Sequence, residues 1–281
     1  MLERLLQKLA TQKVNDAFTF SVVVSDNDQA ESGRPVVEIC RKETGLNLSY
    51  HVQEIKNISL ARNTAVSNSK GDYIAFIDDD EFPEPDWLLA HYRTIQQTGV
   101  AGVLGPVVPH FDVEPPNWVR TGKFYHRPRH KTGFELKWPE CRTGNVLFRR
   151  SIISSESEPF RPEFGTGGED QDFFRRMTEL GHRFVWCDEA VAWETVPPER
   201  WDLKIMLNRA LLRGKNSLRH KRGRVANLMK SVIAYPCYTC ALPVLRVIGK
   251  HHYIRFLVKR ADHAGRILAL FNMNPAHDRQ G

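Results

Sequence analysis

Three consecutive aspartates, Asp78-Asp79-Asp80, follow the apolar run Tyr73–Ile77. The run has the length and composition of a buried strand, so we expect a carboxylate cluster at the carboxyl end of that strand. Crowded like charges repel one another and resist removal from water, so folding alone does not account for them. Carboxylate oxygens are preferred ligands of hard cations. The cluster therefore predicts an enzyme site for a metal ion and a phosphorylated substrate.

A second group of chemically active residues is the run Gly165-Thr166-Gly167-Gly168-Glu169-Asp170, which leads into a predicted helix at residues 169–180. The glycines allow unusual backbone angles and close approach of a substrate. The helix dipole favours acids in the first turn, so either Glu169 or Asp170 alone is explained by helix capping. Together with the distant aspartates, however, they provide a metal site and a separate carboxylate suited to general-base catalysis.

Strand and helix patterns alternate along the chain and must position these two groups. The alternation predicts an α/β fold with a mostly parallel sheet and helices on both faces. In such sheets ligands bind beyond the carboxyl ends of the strands, where Asp26 and Asp78–Asp80 are expected. Ser59 is a plausible N-cap of the helix at residues 59–69. The predicted helices are 2–12, 59–69, 87–98 and 169–180, and the predicted strands are 18–24, 73–77, 100–108, 145–148 and 184–187.

Residues 109–140 lack a clean periodicity and are rich in Pro, Trp, His and Arg, so we expect a long functional loop. The chain length of 281 residues and a hydrophobic content of 41% allow one large α/β domain with an appendage. We place the catalytic domain at residues 1–215 and a helical, basic and apolar region at 216–281.

The formal net charge of +7 is compatible with an anionic lipid or a diphosphate ligand. No aromatic-basic nucleic-acid motif is recognisable, so nucleic acid is not expected as a partner. The five cysteines are scattered, which argues against a disulfide framework, and Cys237-x-x-Cys240 lacks a second pair of metal ligands. No secretory signal is recognisable, so a cytoplasmic location is the expectation.

Three spaced segments, taken together, form a more specific pattern. They are Ile58-Ser59-Leu60-Ala61-Arg62-Asn63, Gly71-Asp72-Tyr73-Ile74-Ala75-Phe76-Ile77-Asp78-Asp79-Asp80, and Gly167-Gly168-Glu169-Asp170. The pattern resembles the core of the family 2 glycosyltransferases, with their DXD and ED motifs, over roughly residues 1–215. The stretch around Val191–Arg200 is most similar to bacterial exopolysaccharide glucosyltransferases of the succinoglycan-assembly type.

The resemblance implies a GT-A, Rossmann-like fold and an inverting, metal-dependent transfer reaction. The donor would be a nucleoside diphosphate sugar, a UDP-hexose, and the acceptor would be a saccharide or a lipid-linked saccharide of the bacterial surface. The Gln-x-x-Arg-Trp motif of processive synthases is not recognisable in the sequence. We therefore expect one sugar to be transferred per acceptor.

The resemblance also assigns roles in donor binding. Asp26 matches the aspartate that contacts the uracil ring, and Arg62 matches an arginine near the nucleotide. Asp78 would meet the ribose or the hydration shell of the metal, and Asp80 would coordinate Mg²⁺ or Mn²⁺ directly. Asp79 is the variable middle position of the motif.

The remaining roles concern the acceptor and the sugar. Asp170 would be the base that deprotonates the acceptor hydroxyl, and Glu169 would help to orient the acceptor. Thr143-Gly144-Asn145 resembles a segment that flanks the donor sugar. Many GT-A enzymes supply a histidine metal ligand after the ED helix. Trp193-Glu194-Thr195 occupies that neighbourhood here, so Glu194 is either a substitute oxygen ligand or a surface glutamate in a salt bridge.

The resemblance predicts a shortened N-terminus. Family members usually begin with a β-strand and a Pro-Thr-Tyr-like turn, whereas this chain begins in a predicted helix, so the first strand is expected to be absent. A missing central strand would leave backbone groups unpaired and apolar surface exposed. The alternative function is therefore a catalytically inactive remnant that acts as a binding module.

The C-terminal region contains a largely apolar stretch, Val225–Gly249, that is close to the length of a membrane span. Its charges and central proline count against a simple span. An interfacial helical hairpin flanked by Arg219–Arg224 and Lys250–Arg260 agrees better with the sequence. This interpretation predicts peripheral contact with the inner face of the cell membrane. A helical subdomain packed on the catalytic core is the alternative.

Overall fold

The computed structural model describes residues 1–218 and 224–271. Most of the predicted flanking run Arg219–Arg224 lies outside the described residues. The chain divides into two compact units, one formed by Met1–His110 and Arg127–Thr195, the other by Phe111–His126 and Val196–Gly281. The division differs from the predicted boundary after residue 215, because the helix that precedes this boundary packs within the second unit.

The helices and strands are given in chain order. The helices are α1 (Leu2–Ala10), α2 (Arg34–Thr44), α3 (Ile58–Asn68), α4 (Trp87–Thr98), α5 (Asn117–Gly122), α6 (Glu169–Glu179), α7 (Leu203–Asn216), α8 (Arg224–Ile248) and α9 (Lys250–Ala269). The strands are β1 (Val22–Asp26), β2 (Leu48–Val52), β3 (Tyr73–Ile77), β4 (Glu81–Pro83), β5 (Gly102–Leu104), β6 (Val107–His110), β7 (Asn145–Arg149), β8 (Phe184–Trp186) and β9 (Ala192–Thr195).

The strands of the first unit form a parallel pair β1-β2, a four-stranded sheet in the order β3-β7-β5-β8, and a three-stranded sheet in the order β4-β9-β6. The α/β class is confirmed, but the sheets are mixed rather than mostly parallel. Strand β7 runs antiparallel to both β3 and β5.

Two predicted segments differ from the observed elements. The predicted strand at residues 100–108 is divided into β5 and β6 at Gly105, where a Cβ atom would lie 2.1 Å from the carbonyl oxygen of Ala190. The predicted loop at 109–140 contains the short helix α5. In both places, contacts with residues distant in sequence determine the backbone path, so local periodicity does not reveal it.

Two apolar clusters position the elements of the first unit. The leucine stripe of α1 enters one cluster, together with residues of β1, β3 and α4. The second cluster is aromatic and packs α6 against the four-stranded sheet. Within it, the ring centroids of Phe160 and Phe173 lie 4.8 Å apart, and those of Phe174 and Phe184 lie 5.1 Å apart. Aromatic contacts of this kind, one stacked and one edge-to-face, fix the position of a helix through large buried areas.

The second unit is helical, and its helices α7 and α9 cross at two glycines. A Cβ atom at Gly214 would lie 2.0 Å from the carbonyl oxygen of Asp262, and one at Gly265 would lie 2.1 Å from that of Leu211. The side chain of Asp262 accepts hydrogen bonds from Arg213 at 2.9 Å and from Arg266 at 2.6 Å. Close backbone approach and the ion pair between Arg213 of α7 and Asp262 of α9 hold the two helices together.

Replacing Gly214 with alanine is expected to destabilise the second unit by about 1–3 kcal/mol, because the added methyl group overlaps a backbone atom that cannot move alone. Gly249→Ala is the matched control, since a Cβ atom there would meet only side-chain atoms, at 3.3 Å or farther. Calorimetric unfolding of the two variants measures the difference. An unchanged melting temperature for Gly214→Ala would contradict the described crossing.

Candidate active site

The turn between β3 and β4 gathers three carboxylates. Ligand oxygens of Asp78, Asp80 and Glu81 all lie within 4.8 Å of one another. The backbone N–H of Glu81 donates to the carbonyl oxygen of Asp78 at 3.0 Å, which closes the turn. Oxygen donors at this spacing have the chemistry that Mg²⁺ or Mn²⁺ requires. The residues present therefore fit a divalent cation.

Glu81 belongs to this set, although the sequence analysis did not select it. Its side chain is almost completely buried, with 2% exposure. Burial, and then the charge of Asp78, raise the pKa of Glu81 well above its ordinary value. A charged carboxylate in this position requires a neighbouring positive charge. The signal in the sequence was the direct continuation of the aspartate run by a fourth acid.

The segment Thr143-Gly144-Asn145 lies against the carboxylates. A Cβ atom at Gly144 would lie 2.7 Å from Oε1 of Glu81 and 3.2 Å from Oδ2 of Asp78. The backbone of this segment therefore forms part of the wall of the acidic cluster, and a side chain at this position would displace the carboxylates. The predicted role of this segment beside the donor sugar stays a prediction.

Asn145 fixes that segment through four hydrogen bonds. Its Oδ1 accepts from Nε1 of Trp87 at 2.8 Å and contacts Nε2 of His91 at 2.7 Å. Its Nδ2 donates to the carbonyl oxygens of Pro106 at 2.9 Å and Ala190 at 2.8 Å. The two carbonyls determine the orientation of the amide. Nε2 of His91 must then carry the proton, because Oδ1 only accepts.

Arg62 connects the two acidic groups that the sequence keeps far apart. It lies on α3, where its Nη1 donates to Oε1 of Glu169 and its Nη2 lies 3.5 Å from Oδ1 of Asp78. Burial alone would lower the pKa of Arg62, but the charges of Glu169, Asp78 and Asp170 outweigh this effect and raise it. The arginine therefore stays charged and joins the DXD segment to the ED segment.

The position of Arg62 depends on the start of α3. The N-cap is Asn57 rather than the predicted Ser59, and its Oδ1 accepts from the backbone N–H groups of Ser59 at 2.9 Å and Leu60 at 3.2 Å. Its Nδ2 donates to the carbonyl oxygen of Pro162 at 2.9 Å. Asn57 thus ties α3 to the segment that leads into the glycine-rich loop. Ser59 is buried inside the helix, so it cannot serve as the cap.

Glu169 and Asp170 occupy the first turn of α6, as predicted. Gly167 and Gly168 precede them with backbone φ angles of 122° and 98°, which residues other than glycine rarely adopt. Burial raises the pKa of Glu169, and Arg62 opposes the shift. Oε2 of Glu169 is buried and has no hydrogen-bond partner among the described atoms.

Asp170 is more accessible than its neighbour, with 18% of its side chain exposed. Its Oδ1 accepts from the backbone N–H of Gln171 at 2.7 Å, and its Oδ2 lies 3.8 Å from Nε of Arg142. A partly exposed carboxylate with one loosely held oxygen has the chemistry required of a proton acceptor.

Asp26 ends β1 and shapes the loop that follows it. Its Oδ2 accepts from the hydroxyl of Tyr50 at 2.6 Å and from the backbone N–H of Gly33 at 3.0 Å, and its Oδ1 accepts from the N–H of Asp28 at 3.0 Å. Burial, and then the bond to Asp26, raise the pKa of Tyr50. The loop is tied to α3 because Oδ1 of Asn27 accepts from the N–H of Asn57 at 3.1 Å.

Glu194 lies on β9, directly opposite Glu81 in the antiparallel pair. Its Oε2 accepts from Nη2 of Arg127 at 2.8 Å. This contact accords with the salt-bridge interpretation, and the role of Glu194 as a metal ligand stays a prediction. Asp79 is exposed in the same turn as the three carboxylates.

Comparisons with known proteins agree with this arrangement. A family model described as Glycosyl transferase family 2 matches residues 1–155. The succinoglycan biosynthesis protein ExoM of Rhizobium meliloti (strain 1021) is 38% identical over 218 residues, which cover 76% of this chain and 69% of ExoM. This chain therefore belongs to the family 2 glycosyltransferases.

Solved structures support the fold. Residues of this chain superpose on S. aureus TarS 1–349 in complex with UDP-GlcNAc with a TM-score of 0.55 and 15% identity, covering 98% of this chain and 89% of TarS 1–349. GalNAc-T7 with UDP, GalNAc and Mn²⁺ gives a TM-score of 0.52 at 10% identity, covering 72% of this chain and 42% of that one. The fold is that of the GT-A glycosyltransferases.

Replacing Arg62 with methionine is expected to destabilise the protein by about 3–5 kcal/mol, because Glu169 then remains buried without a cation. Adding Glu169→Gln should recover part of this loss, since the amide carries no charge. Urea unfolding of the single and double variants measures the coupling. Arg34→Met, which breaks an exposed pair with Glu31, is the control and should change stability little. Equal effects of Arg62→Met and Arg34→Met would contradict the bridging role.

Burial lowers the pKa of His91 to about 4, below the ordinary value of 6.5. Protons therefore bind the unfolded state preferentially, and the contribution of the neutral ring to stability is complete above pH 6.5 and is lost as the pH falls towards 4. We expect a loss of about 2–3 kcal/mol between pH 7 and pH 4.5 from this residue. Urea unfolding at both pH values tests this expectation. His91→Gln keeps a hydrogen-bond donor for Asn145 and should remove this part of the pH dependence of stability. The same pH dependence in the wild type and in His91→Gln would contradict the role of His91.

Proposed function

We propose that this glycosyltransferase transfers a hexose from a UDP-linked donor to a saccharide or lipid-linked acceptor in bacterial exopolysaccharide synthesis. The observation that carries the proposal is the Arg62 bridge, which brings the carboxylates of the DXD turn together with Glu169, next to Asp170. The name of ExoM and the UDP-GlcNAc bound to TarS support the polysaccharide product and the donor class.

The donor site in this proposal combines Asp26 with the turn that carries Asp78, Asp80 and Glu81, called here the carboxylate turn. Asp26 receives the uracil ring at the end of β1, and Arg62 holds Asp78 at the end of β3. Asp78, Asp80 and Glu81 hold Mg²⁺ or Mn²⁺, which supplies a Lewis acid for the diphosphate leaving group. GalNAc-T7 with Mn²⁺ supports this choice of cation. The backbone at Gly144 lies against these carboxylates, which supports the position of its segment beside the donor sugar.

The acceptor is activated by the first turn of α6. Asp170 takes the proton from the attacking hydroxyl, because one of its oxygens is only loosely held and its side chain is partly exposed. Glu169, which Arg62 holds next to Asp170, helps to orient the acceptor sugar. A single base opposite the leaving diphosphate gives inversion at the anomeric carbon, through an oxocarbenium-like state.

The enzyme works in this proposal at the inner face of the cell membrane, where lipid-linked acceptors are available. Helix α8 supports membrane contact, since the most apolar 18 residues of Val225–Ile248 have a mean hydropathy of 1.4 and only 11% of them are buried. The cytoplasmic side is also where nucleotide sugars would be supplied to Asp26 and the carboxylate turn.

Donor binding and transfer are tested separately. Calorimetric titration with UDP-sugars, with and without Mn²⁺, should show metal-dependent binding that Asp80→Ala abolishes. Asp170→Asn should keep this binding and lower the transfer rate by about 10²–10⁴-fold. Asp86→Asn, an exposed aspartate paired with Lys13, is the control and should behave like the wild type.

Two outcomes would overturn the proposal. Absence of metal-dependent nucleotide binding in the wild-type protein would exclude the donor site, and full transfer activity in Asp170→Asn would exclude the base. Nucleotide binding without transfer to any lipid-linked or free saccharide would favour the inactive remnant that acts as a binding module.

A further inference from the structure

The outer face of α8 exposes a row of large apolar side chains in two groups, one near each end of the helix. Ser231 and Leu242 are buried on the opposite face of the helix. The exposed side chains recur at helical spacing and are between 57% and 88% accessible. They are Val225, Met229, Val232, Ile233, Val244, Val247 and Ile248. An exposed apolar row of this length marks an interaction surface.

The charge of this region selects an anionic partner. The sequence contains no Asp or Glu between Asp202 and Asp262, whereas Lys and Arg recur throughout. Lys230 and Arg246 are exposed on α8, and their positions in the helical repeat place them on opposite borders of the apolar row. An apolar face bordered by cations is the pattern of a helix that lies in the headgroup region of an anionic bilayer.

The packing of α9 against α8 argues against an α8 that crosses a membrane. The two helices are antiparallel neighbours, because Ser231 hydrogen-bonds His263 at 3.0 Å while the ring centroids of Tyr238 and Phe256 lie 5.0 Å apart. The Lys259 ammonium lies 5.9 Å from the ring centroid of Tyr238. If α8 crossed the membrane, α9 and its charged side chains such as Lys259 would enter the hydrocarbon region, at a large cost in free energy.

We propose that the apolar row of α8 inserts into the surface of an anionic phospholipid bilayer, with the helix axis parallel to the membrane plane and α9 on the solvent side. This proposal rests on the membrane contact proposed above and identifies its surface, its orientation and its lipid class. The exposed apolar side chains argue for lipid over nucleic acid, which would leave them in water.

The two exposed cysteines of α8 allow a direct measurement. Cys237 and Cys240 are exposed, whereas Cys40, Cys141 and Cys187 are buried. An environment-sensitive fluorophore on these thiols should shift to the blue with vesicles of phosphatidylcholine mixed with phosphatidylglycerol, and much less with phosphatidylcholine alone. High salt should weaken the binding, because it screens the attraction of the basic residues. The vesicle-binding assay contains no sugar donor and no sugar acceptor, so a negative result leaves the proposal of glycosyl transfer intact.

Matched variants locate the surface. Ile233→Glu should lower the vesicle partition coefficient of the full chain at least about tenfold, because an apolar side chain that inserts into the bilayer is replaced by a charge. Ile39→Glu is the control, since Ile39 is exposed at 54% on α2 and should have no effect. Lys230→Gln should lower binding to anionic vesicles by about fivefold and leave binding to phosphatidylcholine unchanged.

Several results would overturn the proposal. One is equal binding of the wild type and Ile233→Glu, and another is equal binding to neutral and anionic vesicles. A self-associating protein that does not bind vesicles, and that Ile233→Glu converts to monomer, would identify a second copy of the chain as the partner instead. Retention on duplex DNA that Ile233→Glu leaves unchanged, without vesicle binding, would identify nucleic acid.

Discussion

The contact between Arg62 and the two acidic groups is the interaction on which the rest of the site depends. Carboxylates crowded at a strand end repel one another, and Glu169 is nearly buried. Each would favour protonation without a nearby cation. The guanidinium forms charge-assisted contacts with both groups because it presents several N–H donors in one plane. Burial raises the pKa of Asp78 and of Glu169, and the charge of Arg62 opposes both shifts while it holds the two carboxylates in one site.

Two asparagines, Asn57 and Asn145, place the surrounding backbone. Asn57 caps α3 and at the same time binds the segment that leads into the glycine-rich loop, so Arg62 and Glu169 are positioned by one side chain. Asn145 joins α4 to two loops and holds Gly144 against the acidic cluster. An amide is suited to both positions because it donates and accepts at once. The chemistry of the site therefore depends on neutral residues as much as on charged ones.

The sequence was most informative where a residue's role follows from its neighbours in the chain. The strand before Asp78 and the helix after the glycine-rich loop were confirmed, since apolar runs and glycines act locally. The N-cap of α3, the break at Gly105 and the direction of β7 were not predicted correctly. Each depends on a contact with a distant segment: Asn57 with Pro162, Gly105 with Ala190, and β7 with two strands.

The α/β class, the family pattern, the carboxylates of the DXD turn and the acids of α6 were all predictable from the amino-acid sequence, because strand ends and helix starts are encoded by adjacent residues. Three features emerged only from the folded chain: Glu81 completes the carboxylate set, Arg62 pairs with Glu169, and the apolar residues of α8 face outward. The physical reason is that burial and charge pairing are properties of neighbours in space. These neighbours are separated by up to 107 positions along the chain, as for Arg62 and Glu169.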